Sequence, residues 1–214
     1  MSKEEHDIDT LVDTLSNELS AVEPMPHPLM RVLPWFCGAV LYITFAILVL
    51  GFRPDFFDKV IQISYMAELT LLVFISMSAA FCSLWLTVPD MRGAKWMLYI
   101  PVVAFSAFLV WHGIRMGMEE YVIPHMRFHP CHIEAFIFGV LPAIALLFLS
   151  SKGNTTHPIL LSFMNILAVG SLGYTGLRIT CVSDDIGHLF ADHFLPYILL
   201  GIVVTFVGRR IYRW

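Results

Sequence analysis

The sequence has 214 residues, of which 57% are hydrophobic and only 14% charged, and its mean hydropathy is +0.74. Soluble domains contain about 25% charged residues, so the composition excludes an ordinary soluble domain. The formal net charge is −4, and no direct contact with nucleic acid is expected. The composition therefore predicts an all-α, polytopic membrane protein.

The first 32 residues carry seven acidic and two basic side chains, which accounts for the whole negative excess of the chain. Apolar residues recur there at every third or fourth position, a pattern that predicts an amphipathic helix. Its apolar stripe comprises Ile8, Leu11, Val12, Leu15, Leu19 and Val22. Pro24, Pro26 and Pro28 follow, so residues 1–32 are expected to form a helical tail on a stiff linker.

The apolar stripe of the tail requires a partner surface. An acidic helix is not expected to adhere to an anionic membrane leaflet, which attracts basic helices instead. A groove with an apolar floor and a basic rim, such as a nucleic-acid-binding protein presents, would suit it. Docking onto the chain's own membrane domain is the alternative, and the pattern leaves both open.

Six apolar stretches predict six transmembrane helices within one membrane domain, residues 33–214. They lie at about 33–52, 61–88, 96–114, 133–150, 158–177 and 194–208. A helix needs about 20 residues to cross a bilayer, so the shorter stretches require flanking residues. The first stretch follows an acidic segment rather than a basic one, and it is expected to remain as a helix rather than be cleaved.

Six spans place both termini on one side of the membrane. Eight of the 13 Lys and Arg residues fall on the side of the termini, including three in the closing "GRRIYRW". Basic residues accumulate on the cytoplasmic side, so both termini are predicted to be cytoplasmic. The third and fifth loops then face outward.

The two outward loops hold most of the reactive side chains. The third loop reads "RMGMEEYVIPHMRFHPCH" and the fifth segment "TCVSDDIGHLFADHF". Thiolates, imidazoles and carboxylates are ligands of zinc and copper, and nearby methionines favour Cu(I). The candidate ligands are His129, Cys131, His132, Cys181, Asp184, His188 and His193, with His125, Met116, Met118 and Met126 beside them. Their spacing matches no closed zinc motif.

A helical fifth segment would place Asp184, His188 and Asp192 on one face and turn His193 away from it. Glu68 and Glu134 lie inside predicted spans and are added as candidate ligands, because intramembrane carboxylates usually have a function. His112 is expected to form an interhelical hydrogen bond, and Arg178 to pair with Asp184 or Asp185.

Three interpretations of the outward residues stay open. The histidines and aspartates can be ordinary helix-end residues, with Asp184 and Asp185 capping the next helix. They can hold a metal ion. Alternatively, Cys131 and Cys181 can act as redox-sensitive thiols and form a disulfide in an oxidising compartment. Cys131 and Cys181 are the main candidates under either active interpretation.

Several separated motifs resemble the negative-regulator-of-sigma-F family of six-helix bacterial membrane anti-sigma factors. They include "DTLVDTLSNELSAVEPMPHP", "GFRPDFF", "LTVPDMRGAKW", "CHIEAFIFGVLPAIALLF" and the closing "CVSDDIGHLFADHFLPYILLGIVVTFVGRRIYRW". The resemblance implies a protein of the bacterial inner membrane whose cytoplasmic N-terminal segment holds an extracytoplasmic-function sigma factor until envelope stress releases it. It implies no catalysis, and it makes Cys131 and Cys181 the sensing pair.

The sequence thus predicts a non-enzymatic anti-sigma factor that requires no cofactor. Copper, zinc or another heavy metal, or an oxidant, is the expected stimulus at the outward face. The alternative is a metal-binding membrane protein or a transporter without a sigma partner. A transporter would carry more ionisable residues within its spans, where almost none occur apart from Glu68. The pattern does not determine the oligomeric state.

Overall fold

The computed structural model describes residues 3–18, 25–88, 92–118 and 130–212, and all regular elements within these ranges are helices. Six helical segments are long and apolar enough to cross a membrane. The predicted all-α fold with six spans is therefore confirmed.

The long helices are α1 (Lys3–Glu18), α2 (Pro28–Leu50), α4 (Ile63–Trp85), α5 (Tyr99–Met118), α6 (Pro130–Ser151), α7 (Pro158–Thr180) and α9 (Leu195–Ile211). Shorter elements are α3 (Phe56–Val60), a 3₁₀ helix (Arg92–Leu98), α8 (Ile186–His188) and a π-helical turn (Leu189–Phe194). The sixth span is composite, because α8, the π-helical turn and α9 together form the segment Ile186–Phe206.

Two spans begin earlier in the structure than the sequence predicts. The first span begins at Pro28 rather than at residue 33, because proline is compatible with the first turn of a helix. The His27 side chain accepts a hydrogen bond from the backbone N–H of Leu29 at 3.3 Å and caps this helix. The sixth span begins at Ile186, eight residues before the predicted start at 194. In the tail, α1 ends at Glu18, and Leu19 and Val22 lie outside the described residues.

Helix α7 is the central helix of the bundle. It packs against α2, α4, α6 and α9. In its most apolar 18-residue stretch, 72% of the residues are buried, compared with 17% in the corresponding stretch of the span that contains α5. Most spans expose apolar side chains to the surrounding lipid on one side, whereas α7 is largely enclosed by protein. Side chains at the end of α7 are therefore held by neighbours on several sides.

Two glycines allow close contact with α7. A Cβ atom added at Gly173 would lie 2.0 Å from the hydroxyl oxygen of Tyr197, and one at Gly176 would lie 2.9 Å from the Phe138 ring. The Tyr197 hydroxyl, on α9, donates a hydrogen bond to the carbonyl of Ala135, on α6, at 3.0 Å. Small residues at such positions let transmembrane helices approach closely, so these contacts set the spacing of α6, α7 and α9.

We call the end of the bundle where α2 begins and α6 ends the tail end, and the opposite end the site end. At the tail end, Arg31 donates a hydrogen bond to the Thr87 hydroxyl at 3.0 Å and another to the carbonyl of Leu149. The first turn of α2 is thereby joined to the last turn of α6. A buried polar group lies nearby and includes Ser83, Ser150, Asn165 and Tyr212.

Replacing Gly173 with alanine is expected to destabilise the bundle by about 1–3 kcal/mol, because the added methyl group would clash with Tyr197. Thermal unfolding of the purified protein in detergent measures the effect. Gly113→Ala on α5 is the matched control, since a Cβ at Gly113 has no neighbour within 4 Å. Equal unfolding temperatures for the two variants would contradict the proposed close packing.

Candidate metal and thiol site

Two thiols meet at the site end. Cys131 lies in the first turn of α6 and Cys181 directly follows α7, where its backbone N–H bonds to the carbonyl of Leu177 at 2.8 Å. The Cys131 thiol donates to the sulfur of Cys181, and the two Sγ atoms are 3.4 Å apart. Both cysteines are free thiols. The packing of α6 on α7 thus brings together the pair that the sequence singled out.

Two histidines complete this group. The Asp185 carboxylate caps α8 by accepting from the backbone N–H of His188 at 2.8 Å, and this places His188 Nε2 3.2 Å from Cys181 Sγ. The π-helical turn then brings His193 to the same point. One ligand atom from each of Cys131, Cys181, His188 and His193 lies within 4.8 Å of the others. We call these four residues the Cys/His cluster.

His193 shows the clearest departure from the sequence prediction, which turned it away from His188. A regular α-helix would do so, but a π-helical turn has a wider repeat and changes the direction of the residues after it. His193 is fully buried, and neither ring nitrogen makes a hydrogen bond of ordinary geometry within the part of the chain that the structure describes, although a ring nitrogen lies within 4.8 Å of the Cys181 sulfur. A buried polar group without a partner is costly, so it calls for an explanation.

The Cys/His cluster fits a metal ion chemically. Two sulfur and two imidazole donors are the ligands of tetrahedral zinc sites, and the same donors suit Cu(I). A metal ion bound there would use a buried nitrogen of His193, which makes no hydrogen bond of ordinary geometry to the described residues. Sequence spacing did not reveal the four residues as one motif because they come from α6, the end of α7, α8 and the π-helical turn.

The environment of Cys181 favours its thiolate form. The hydrogen bond from the Cys131 thiol, followed by that from His188, holds the pKa of Cys181 below its usual range, although burial opposes this effect. The thiolate is the form that binds metals and reacts with oxidants. Cys181 is thus the more reactive member of the pair.

A carboxylate lies beside the cluster. Asp192, in the π-helical turn, has one oxygen 2.5 Å from His188 Nδ1 and the other 3.1 Å from His132 Nε2. His132 was a predicted metal ligand, and the structure places its ring against Asp192. Glu134, another candidate ligand, accepts a hydrogen bond from the Thr180 hydroxyl at 3.0 Å. His125 and His129 lie outside the described residues.

The candidate ligands Glu68 and Asp184 belong to a separate group of ion pairs. Arg178, in the last turn of α7, contacts Glu68 at 3.1 Å and Asp184 at 2.8 Å, which confirms its predicted pairing with Asp184. The Asp184 carboxylate also forms ion pairs with Arg53 at 2.9 Å and with Lys59 at 2.7 Å. Asp184 therefore joins the α2–α4 connection to the segment that follows Cys181.

Arg53 is a structural residue that sequence reasoning missed. Its side chain is buried, contacts Asp55 at 2.6 Å and Asp184 at 2.9 Å, and its backbone N–H bonds to the carbonyl of Ile179 at 3.0 Å. The only available signal was its place in "GFRPDFF", beside an aspartate and between hydrophobic residues. His112 forms the expected interhelical hydrogen bond, with its Nε2 3.2 Å from the Tyr174 hydroxyl.

Together, the fold and the cluster define a six-span helical membrane protein with a partly buried group of two thiols and two imidazoles at one end of the bundle. A family model described as "Negative regulator of sigma F" matches residues 15–214, and the chain therefore belongs to the NrsF family. The family name implies that the chain restrains a sigma factor. Searches of curated proteins and of solved structures found no match.

The family match confirms the resemblance inferred from the separated sequence motifs. It begins at Leu15, so the earlier residues of the apolar stripe, including Ile8, Leu11 and Val12, precede the matched region.

Replacing Asp184 with asparagine is expected to lower stability near neutral pH and to weaken its dependence on acid. Burial raises the pKa of Asp184, but hydrogen bonds from Arg53, Lys59 and Arg178 outweigh this and hold it below its usual value. The carboxylate therefore stabilises the fold fully above the unfolded pKa of about 3.9, and this contribution is lost as the pH falls further toward the folded pKa.

Thermal unfolding of the protein and of Asp184→Asn between neutral pH and about pH 3 tests this expectation. The difference in unfolding temperature should be largest near neutrality and shrink below about pH 4. Asp58→Asn, at an exposed carboxylate on α3, is the control and should show little difference at any pH. A difference for Asp184→Asn that stays constant with pH would contradict the proposed role of its charge.

Proposed function

We propose that this protein is an inner-membrane anti-sigma factor. In this proposal its N-terminal segment binds an extracytoplasmic-function sigma factor in the cytoplasm, and the Cys/His cluster controls its release from the outer side. Membership of the NrsF family supports the sigma partner. The observation that carries the sensing role is the partly buried Cys/His cluster, in which neither ring nitrogen of His193 makes a hydrogen bond of ordinary geometry to the described residues.

The distribution of charge supports the orientation. Eight Lys and Arg residues belong to segments on the side of the termini and five to the opposite side. The positive-inside rule then assigns the tail end to the cytoplasm and the site end to the periplasm. In this orientation the tail meets soluble cytoplasmic proteins, while the cluster meets metals and oxidants that arrive from outside.

The tail offers a surface suited to a soluble partner. Ile8, Leu11, Val12 and Leu15 lie along one side of α1, and each is more than half exposed. An exposed apolar stripe on an acidic helix suits an apolar groove with a basic rim. A sigma factor binds nucleic acid through basic surfaces, so occupation of such a surface would compete with DNA.

The cluster offers two ways to receive a signal. A soft or borderline metal ion such as copper or zinc would be held by Cys131, Cys181, His188 and His193, and it would replace a mutual hydrogen bond with a rigid link between α6 and the sixth span. Alternatively, an oxidant would remove two protons and two electrons from the thiols and join them as a disulfide. Both events act on the same pair of helix ends.

Helix α6 connects the cluster to the tail. Cys131 lies in its first turn, and the carbonyl of Leu149, near its other end, accepts a hydrogen bond from Arg31. A shift of α6 would therefore reach the first turn of α2, where the tail joins the membrane domain. To change tail occupancy from 1:99 to 99:1, the stimulus must favour one state by about 5.5 kcal/mol, a magnitude that metal coordination can provide.

Charged substitutions on the apolar side of α1 are expected to weaken sigma binding. The double variant Leu11→Glu with Leu15→Glu should weaken binding of the co-expressed sigma factor to full-length protein in detergent by about tenfold or more. Thr10→Glu with Asn17→Glu adds the same charge on the opposite side of α1 and should bind nearly as well as the unaltered protein. Full-length protein that retains no sigma factor would refute the proposed partner.

The cluster is expected to bind one divalent cobalt ion as a spectroscopic substitute for zinc. Full-length protein in detergent should show intense thiolate-to-cobalt absorption, and both Cys181→Ser and His193→Ala should weaken binding by at least about tenfold. Cys37→Ser, at a lipid-facing thiol on α2, is the control and should bind normally. Absence of cobalt binding, or equal binding by all variants, would exclude the metal site and leave the thiol oxidation model.

A further inference from the structure

Asp192 is held between two imidazoles that come from different helical elements. Its Oδ2 atom lies 2.5 Å from Nδ1 of His188 and its Oδ1 atom 3.1 Å from Nε2 of His132. The carboxylate is only 5% exposed, so water does not compete strongly for these contacts. Each carboxylate oxygen of Asp192 therefore contacts one histidine ring.

The contact with His188 determines how that ring can bind. A carboxylate accepts hydrogen bonds, so Nδ1 of His188 carries the proton that faces Asp192. Nε2 then points at Cys181 Sγ, 3.2 Å away, and would bind a metal once it has given up the proton that it donates to that sulfur. Metal-binding histidines commonly donate their other ring nitrogen to a carboxylate, which fixes the orientation of the ring.

The contact with His132 has the opposite consequence. The Nε2 atom of His132 is directed at Asp192, and His132 is absent from the group of described residues whose ligand atoms converge. His132 is the neighbour of Cys131 in the first turn of α6, so it would otherwise be an obvious ligand. Through the two imidazoles, Asp192 also ties α6 to α8 across the cluster.

We propose that Asp192 is the positioning residue of the metal site: it presents His188 through Nε2 and keeps His132 out of the coordination sphere. The inference rests on the metal site proposed above. The π-helical turn provides the backbone for both functions, because it carries Asp192, which contacts Nδ1 of His188, and His193, which belongs to the cluster. Local π-helical turns are frequent at functional sites.

Competition between the full-length protein in detergent and a chelator of known cobalt affinity tests this role. Asp192→Asn should lower cobalt affinity about 10–100-fold, with the one-ion stoichiometry retained. Asp192→Glu restores the charge and should recover part of the loss. Asp58→Asn makes the same substitution at an exposed carboxylate on α3 and is the control, because its cobalt affinity should stay close to that of the unaltered protein.

His132→Ala supplies a second measurement with Asp192 intact. The cobalt spectrum and stoichiometry should match those of the unaltered protein, because His132 is not a ligand in this proposal. A changed ligand-field spectrum, or a loss of affinity as large as that of Cys181→Ser, would overturn it. Unchanged affinity in a folded Asp192→Asn protein would do the same.

The metal site and the positioning role of Asp192 can be refuted separately. If the unaltered protein binds no cobalt, the metal site itself is refuted, and the role of Asp192 with it. If the protein binds cobalt and Cys181→Ser does not, while Asp192→Asn binds as tightly as the unaltered protein, only the positioning role is refuted. Unfolding temperatures of the metal-free variants show whether Asp192→Asn is folded.

Discussion

The close packing of α7 against its neighbours is the constraint on which the rest of the structure depends. Gly173 and Gly176 admit Tyr197 and Phe138 almost to the helix backbone, so α6 and α9 cannot move away from α7 without leaving a cavity. The first turn of α6 and the end of α7 carry the two thiols, and the turn that precedes α9 carries His193. The Cys/His cluster is thus a product of helix spacing set within the membrane.

Charge at the site end reinforces this arrangement. Arg178 and Glu68 are both buried and face each other from α7 and α4, which satisfies two groups that would be costly alone in a membrane. Asp184 extends the pairing to Arg53 and Lys59. The segment from Cys181 to Asp185 is therefore fixed by ion pairs on one side and by the Cys/His cluster on the other.

Hydropathy was sufficient to predict the six spans, because the energetic cost of polar groups in lipid dominates the sequence pattern. The pairing of Cys131 with Cys181 was also accessible, from their shared side of the membrane and from the family resemblance. The position of His193 was not. It depends on one π-helical turn, which has no recognisable composition, and on an early start of the sixth span at Ile186.

The same limit applies to Asp184, His132, Glu68 and Glu134, which were grouped as candidate ligands because of their chemistry and shared side. The direction of each side chain decides which neighbouring group it contacts. Asp184 turns toward three cations, His132 toward Asp192, Glu68 toward Arg178 and Glu134 toward Thr180. Sequence separation contains little information about such choices between neighbours.

The π-helical turn also restricts how the length of this segment can vary in evolution. A π-helical turn accommodates one residue more than an α-helical turn, so deleting a single residue between Leu189 and Phe194 would allow a regular α-helix to form. The sixth span would still be apolar and long enough to cross the bilayer. However, His193 and Tyr197 could no longer both keep their present neighbours, so an indel that hydropathy would tolerate is excluded by the cluster.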